Sequence, residues 1–303
     1  MKRDLVSVLD MRDDIEGLID LAARLKAERG QHETPLEGKT LAMIFEKSST
    51  RTRVSFEVAM SELGGRGMYL SSNDMQLGRG ESISDTAKVL SRYVHGIMYR
   101  AFENKMMVEL AASASIPVIN GLDDLEHPCQ ILADLLTVRE RFQHLQGLKM
   151  VYLGDGNNVC NSLLLGAALT GMDMVACCPE GRSPNQEMLE KAQDIAALRG
   201  CSITLDSDPK SACKGAHVLY TDVWISMGDT LSPDEARRLF SPYQINQSLL
   251  DIADPKCIVM HCLPAIRGEE ISAEAMDGPQ SAVFDQAENR LHAQKAVLMT
   301  LLR

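Results

Sequence analysis

The segment Phe45-Glu46-Lys47-Ser48-Ser49-Thr50-Arg51-Thr52-Arg53 gathers hydroxyls and guanidiniums where an apolar run gives way to a helical pattern. A helix beginning there would leave backbone N–H groups open to an anion, and Arg51 could clamp phosphate oxygens with two parallel bonds. The same residues would also serve as a plain N-cap with solvated arginines. The motif is not a P-loop, because GxxxxGK[ST] is absent. A second segment, Asp124-Leu125-Glu126-His127-Pro128-Cys129-Gln130, places Pro128 in the first turn of a helix and restrains His127 to an extended backbone. An imidazole fixed at a helix N-terminus tends to stay neutral, so it could donate a hydrogen bond to a carbonyl oxygen; it could equally be a helix-entry histidine with no role.

Three further segments follow apolar runs. Val259-Met260-His261-Cys262-Leu263-Pro264-Ala265 delivers a thiol to a strand's carboxyl end, where it could share a proton with an amine or serve as a small buried hydrophobe. Thr221-Asp222-Val223-Trp224-Ile225-Ser226-Met227-Gly228 sets Asp222 at another strand's end, where a carboxylate suits a cationic group or caps a loop. Gly154-Asp155-Gly156-Asn157-Asn158-Val159 begins like a dinucleotide fingerprint, but Val159 stands where the last glycine belongs. The next strand, Met174-Val175-Ala176-Cys177-Cys178-Pro179, has no acidic residue to close it, which speaks against a dinucleotide. Asn157 and Asn158 at a helix start could instead bind a carboxylate.

The elements that must carry these residues read as alternating strands and helices. Short apolar runs predict strands at 41–45, 67–70, 95–99, 116–119, 149–153, 173–178, 201–205, 216–220 and 257–261. Helical spacing predicts one helix over residues 5–29, a long one over 129–145 and a final one over 287–302. Such alternation implies the α/β class: two parallel-sheet α/β domains with helices on both faces, linked by long helices. The domains are expected at 1–138 and 139–303, with their cleft as the natural site and the final helix packing back on the first domain.

The 303 residues carry a net charge of −11, which argues against nucleic-acid binding. Yet from Lys47 to Arg100 eight basic residues face five acidic ones, a local excess that suits a small-anion pocket or solvated helix faces. Eight irregularly spaced cysteines without CxxC suggest neither a zinc nor a redox site. No apolar run reaches the ~18 residues of a membrane span, and the start lacks a signal core. A cytoplasmic protein with reduced thiols is expected, with neither nucleic acid nor membrane as partner.

In this order, STRTR, QLGRGES, MYR, HPCQ, GDGNN, DVWISMG and HCLPA, with a late arginine, the chain resembles the aspartate/ornithine carbamoyltransferase family from about residue 40 to residue 300. STRTR and HPCQ imply carbamoyl phosphate. DVWISMG and HCLP look like the ornithine branch, since the aspartate branch typically has HPLPR. The resemblance implies transfer of a carbamoyl group from carbamoyl phosphate to the side-chain amine of L-ornithine, giving L-citrulline and phosphate, with no metal and no cofactor. Ser49, Thr50, Arg51 and Thr52 would hold the phosphate. Arg100 and His127 would bridge phosphate and carbonyl, with Pro128 and Cys129 beside them, and Gln130 would bind the carbamoyl amide. Gln76 would reach a neighbouring subunit's site in a homotrimer or a multiple of trimers. Asn158, Asp222, Ser226 and Met227 would hold the amino-acid end of ornithine. Cys262 and the backbone of Leu263 would orient its δ-amine, and Arg290 would close on carbamoyl phosphate. One departure is Ile266, where the family commonly has His after HCLPA. Rival readings are a carbamoyltransferase for putrescine or N-acetylornithine, a non-catalytic relative that only binds, and a dehydrogenase.

Overall fold

The computed structural model describes residues 2–31, 33–78, 80–225 and 230–303. The chain divides into two compact units: residues up to Leu136 together with Asn289–Arg303, and Thr137–Glu288.

The first unit runs through α1 (Ile15–Ala27), β1 (Thr40–Phe45), α2 (Thr50–Glu62), β2 (Arg66–Ser71), α3 (Ile83–Leu90), β3 (Gly96–Arg100), α4 (Asn104–Ser113), β4 (Val118–Leu122) and the start of α5 (Pro128–Phe142). Its four strands are parallel in the order β2-β1-β3-β4. Strands β3 and β4 are buried along their whole length, as near-continuous apolar runs covered on both faces must be. The strand order reverses between β1 and β3, and ligands of open parallel sheets bind beyond the carboxyl ends at such a point. Register puts Phe45 beside Arg100 there, and the Glu46 N–H donates to the Arg100 carbonyl at 3.0 Å.

The second unit continues through β5 (Lys149–Leu153), α6 (Asn158–Thr170), β6 (Asp173–Cys177), α7 (Gln186–Arg199), β7 (Ile203–Asp206), α8 (Pro209–Cys213), β8 (Val218–Thr221), α9 (Pro233–Phe240), α10 (Gln247–Leu250), β9 (Ile258–His261), α11 (Ala273–Asp277) and the start of α12 (Val283–Leu302). Its five parallel strands order as β7-β6-β5-β8-β9, reversing between β5 and β8. Leu153, Thr221 and His261 are register partners in one row, so the residues following each strand emerge side by side. Both passages between the units lie within helices, α5 and α12.

The single helix expected over residues 5–29 is instead an isolated bridge at Leu5, a 3-10 turn at Val8–Met11 and then α1. Leu5 pairs in parallel with Ile119 beside β4, and the Asp10 carboxylate accepts from the Val6 and Ser7 N–H groups, capping a new turn. Leu5 and Val8 are apolar because they line the core beside the sheet, a placement that helical spacing cannot distinguish. The remaining strands begin or end within a few residues of their expected positions.

Glu126 fastens that turn. Its Oε2 accepts from the Val8 N–H at 2.8 Å, and burial, helped by the Asp123 and Asp10 charges, pushes its carboxyl up to about 7 despite the bonds from Ser7 and Val8. A carboxyl raised in the fold contributes stability that is complete below its unfolded pKa, 4.5, and is lost as pH rises through about 7. Glu126→Gln keeps an acceptor and removes the charge. Its melting temperature should therefore gain on wild type between about pH 4.5 and pH 8, by at most roughly 3 kcal/mol of stability. Parallel melting curves across that range would mean that Glu126 carries no charge penalty.

Candidate active-site residues of the two units

In the first unit, Ser49 adopts an extended N-cap conformation and its Oγ accepts from the Thr52 N–H at 3.3 Å, starting α2 directly beyond β1. Thr52 is buried, Arg51 is half-buried and Thr50 is exposed at this helix N-terminus. Arg290, from α12, is 4% exposed and donates from Nη2 to Thr52 Oγ1 at 3.1 Å. Its Nη1 donates to Gln130 Oε1 at 2.5 Å and lies 3.5 Å from His127 Nε2. Gln130 in turn donates to Asp134 at 2.8 Å, which fixes its amide so that the oxygen faces Arg290. Arg100, the last residue of β3, is buried and reaches the Gly121 carbonyl at 3.5 Å.

His127 enters α5 from a loop held by Asp123, whose Oδ1 accepts from the N–H groups of Leu125 and Glu126 at 2.9 and 2.7 Å. Asn104 and Asn120 donate to its Oδ2. Burial first, and then the charges of Arg290, Arg100 and Arg51, hold the His127 imidazole well below its usual range, so it stays neutral at physiological pH. The Cys129 thiol is pushed up to about 12 by burial and points to the Asn120 carbonyl, so it acts as a packed group beside Pro128. Gln76 lies apart, exposed on a 3-10 turn at Gln76–Gly78. Two contributors were not singled out from the sequence. Asp123 organises the histidine loop, and Lys47 is half-buried with its ammonium pKa lowered by burial and by Arg100.

In the second unit, Asn157 is the N-cap of α6, and its Oδ1 accepts from the N–H groups of Val159 and Cys160 at 3.0 and 3.1 Å. Its Nδ2 donates to Asp222 Oδ2 at 2.8 Å, while the Val223 N–H donates to Asp222 Oδ1 at 2.8 Å. Asn157 is thus a cap and an orienting group for Asp222, and Asn158 begins α6 half-buried beside it. A Cβ at Gly156 would lie 2.2 Å from the Pro184 nitrogen, so the turn between β5 and α6 requires glycine at that point. Cys262 and Leu263 follow β9 half-buried. Ser226 and Met227 lie outside the described residues.

Oxygen, nitrogen and sulfur atoms of Asp222, His261 and Cys262 lie within 4.8 Å of one another. Both His261 nitrogens are engaged inside the loop, however. Nδ1 accepts from the Leu263 N–H at 2.8 Å and Nε2 meets Glu270 Oε1 at 3.1 Å. The imidazole therefore has no lone pair directed at the other two groups, and the trio does not suit a metal ion.

A guanidinium-rich buried cluster thus stands at the reversal of one parallel sheet, and a carboxylate near a thiol stands beyond the carboxyl ends of β8 and β9 in a second. Residues 3–140 match the carbamoyl-P binding domain and residues 146–301 the Asp/Orn binding domain of the aspartate/ornithine carbamoyltransferases, and the chain belongs to that family. The ornithine carbamoyltransferase of Methanobrevibacter smithii is 55% identical over 300 residues, covering 99% of this chain and 99% of the relative. That of Oceanobacillus iheyensis is 56% identical over 303 residues, covering 99% and 94%. The solved structure of ornithine carbamoyltransferase from Pyrococcus furiosus superposes with a TM-score of 0.96 at 50% identity, covering 99% of this chain and 97% of that one.

Proposed function

We propose that the protein transfers the carbamoyl group of carbamoyl phosphate to the δ-amine of L-ornithine, giving L-citrulline and phosphate. The observation that carries this reading is the convergence of Arg290 on Thr52, Gln130 and His127, where burial first and then the positive charges of Arg290, Arg100 and Arg51 depress the His127 pKa. Such a field suits a dianionic phosphate. In this reading Ser49, Thr50, Arg51, Thr52 and the N–H groups of the first α2 turn hold the phosphate. Gln130 binds the carbamoyl amide, and Arg290 turns to the bound donor. Asp222, oriented by Asn157, takes the α-amino group of ornithine, and Asn158, Ser226 and Met227 complete that end.

The δ-amine must attack as the free base, and an alkylamine has a pKa near 10, so Cys262 and the Leu263 carbonyl serve by accepting from its N–H bonds and aiming its lone pair. As the N–C bond forms, negative charge builds on the carbamoyl oxygen. Arg100, neutral His127 and the Thr52 hydroxyl are donors for it. The C–O bond to phosphate then breaks, and the departing phosphate takes the proton released by the amine.

The enzyme in this reading is a cytoplasmic trimer, or a multiple of one, to which Gln76 contributes across subunits. All eight cysteines are free, which fits a reducing compartment, and no described helix is long and apolar enough to cross a membrane. The edge strand β2 and neighbouring α2 leave Val54, Met68 and Tyr69 exposed, an apolar face suited to a second copy.

Turnover with carbamoyl phosphate and a panel of ornithine, putrescine, N-acetylornithine and aspartate tests the proposal. Preference for ornithine is expected. Preference for another acceptor would overturn the roles of Asp222, Ser226 and Met227, and no turnover at all would leave a binding protein.

A further inference from the structure

The loop that follows β9 is tied to one buried carboxylate. Glu270 and His261 side chains are wholly buried, and Glu270 Oε1 receives both His261 Nε2 at 3.1 Å and the Ile266 N–H at 2.5 Å. On the other side of the ring, Nδ1 accepts the Leu263 N–H at 2.8 Å. A nitrogen that accepts an N–H carries no proton, so the ring proton resides on Nε2, directed at Glu270. The histidine backbone is held as well: its N–H donates to Gln286 Oε1 at 2.8 Å, and Gln286 donates to the Tyr220 hydroxyl at 3.1 Å.

This chain of bonds ends on a strained residue. Leu263 has φ of +62°, a left-handed conformation that costs a branched side chain of this kind about 1–2 kcal/mol unless its surroundings impose it. Its own N–H is held by His261 Nδ1, a bond that exists only in the Nε2–H tautomer. Cys262 lies between the two residues so fixed.

We propose that Glu270 is a positioning residue for carbamoyl transfer. By fixing the tautomer of His261 it locks the left-handed backbone of Leu263, and thereby aims the Cys262 thiol and Leu263 carbonyl at the acceptor amine. The proposal rests on the assignment of Cys262 and Leu263 to that amine. It also excludes His261 as a base for Cys262, because Nδ1 is committed to the backbone and Nε2 to Glu270.

What the positioning needs from Glu270 is an acceptor oxygen, and its charge is incidental. Glu270→Gln still offers Oε1 to both donors, whereas Glu270→Leu fills the space and offers none. In Glu270→Leu, kcat/KM for ornithine should fall about 100-fold, as for a misplacement of about 1 Å, while the KM for carbamoyl phosphate stays within about twofold. Glu270→Gln should restore activity to within about fivefold of wild type. A Glu270→Gln enzyme as impaired as Glu270→Leu would overturn the proposal, since it would mean that the charge takes part. Unimpaired ornithine kinetics in Glu270→Leu would overturn it too. Ring-nitrogen NMR of His261 is independent of activity and of folding yield in the Leu variant. Wild type and Glu270→Gln should show the Nε2–H tautomer, and an Nδ1–H or doubly protonated ring in wild type would refute the clamp. Should wild type prefer a different acceptor, the functional reading fails while this spectrum still judges the clamp.

Discussion

An Arg100→Gln enzyme is expected to lose about 10²–10³-fold in kcat, the usual cost of removing one donor from a developing oxyanion, with a rise in KM for carbamoyl phosphate. Arg100 ends β3 at the point where the strand order reverses, so its guanidinium is placed by the sheet rather than by a mobile loop. Its charge adds to burial in lowering the pKa values of His127 and of the Lys47 ammonium. Gln is uncharged and shorter, and can neither support phosphate and carbonyl together nor maintain that field. Arg100→Lys should recover little, because an ammonium lacks the planar fork that bridges two oxygens. Steady-state kinetics with both substrates varied would check this, and a kcat within tenfold of wild type would remove Arg100 from the transition state.

Asp222→Asn is the second large effect. Replacing a buried carboxylate that pairs with a charged amine removes about 3 kcal/mol of binding, which raises the KM for ornithine about 100-fold. Asp222 is 9% exposed and accepts through both oxygens, so the isosteric amide can keep the bond from the Val223 N–H but sets its NH2 against Asn157 Nδ2, and the loss combines charge with orientation. The KM for carbamoyl phosphate should not move, since that substrate is assigned to the other unit. Ornithine saturation curves that superpose on those of wild type would sink the assignment of Asp222.

Much of this architecture is legible in sequence because parallel strands covered on both faces must be unbroken apolar runs, as Leu41–Phe45 and Met150–Leu153 are. The segments after Phe45, Leu153, Thr221 and His261 stood out for a related reason. Polar residues that directly follow a buried strand are out of place unless they cap, orient or bind. What stayed hidden depends on register. Asn157 meets Asp222 across 65 residues, and only the alignment of Leu153 with Thr221 brings them together. The Glu270–His261 pair, nine residues apart, requires the turn at Arg267–Ile271, which sequence shows only as a charged loop. At the N-terminus, Leu5 satisfies helical spacing while pairing beside a strand, so periodicity alone misassigned it.

The first unit is discontinuous, and that has a consequence for how the chain is born. Arg290, which gathers Thr52, Gln130 and His127, belongs to the segment Asn289–Arg303. So does Lys295, fully buried and 2.5 Å from Glu62 on α2; with Arg29 it outweighs burial and keeps that carboxyl below its usual value. Between Leu136 and Asn289 lies the whole of Thr137–Glu288, which a ribosome adding about 5–20 residues per second needs roughly 10–30 s to make. During that interval the emerging first unit has its strands, Arg29 beside Glu62, and Arg51 and Arg100, but neither the Lys295 ammonium nor Arg290. Sheet order and the α2 N-terminus are thus available early in synthesis, whereas the clasp that Arg290 makes on Thr52, Gln130 and His127 closes only with residues 289–303.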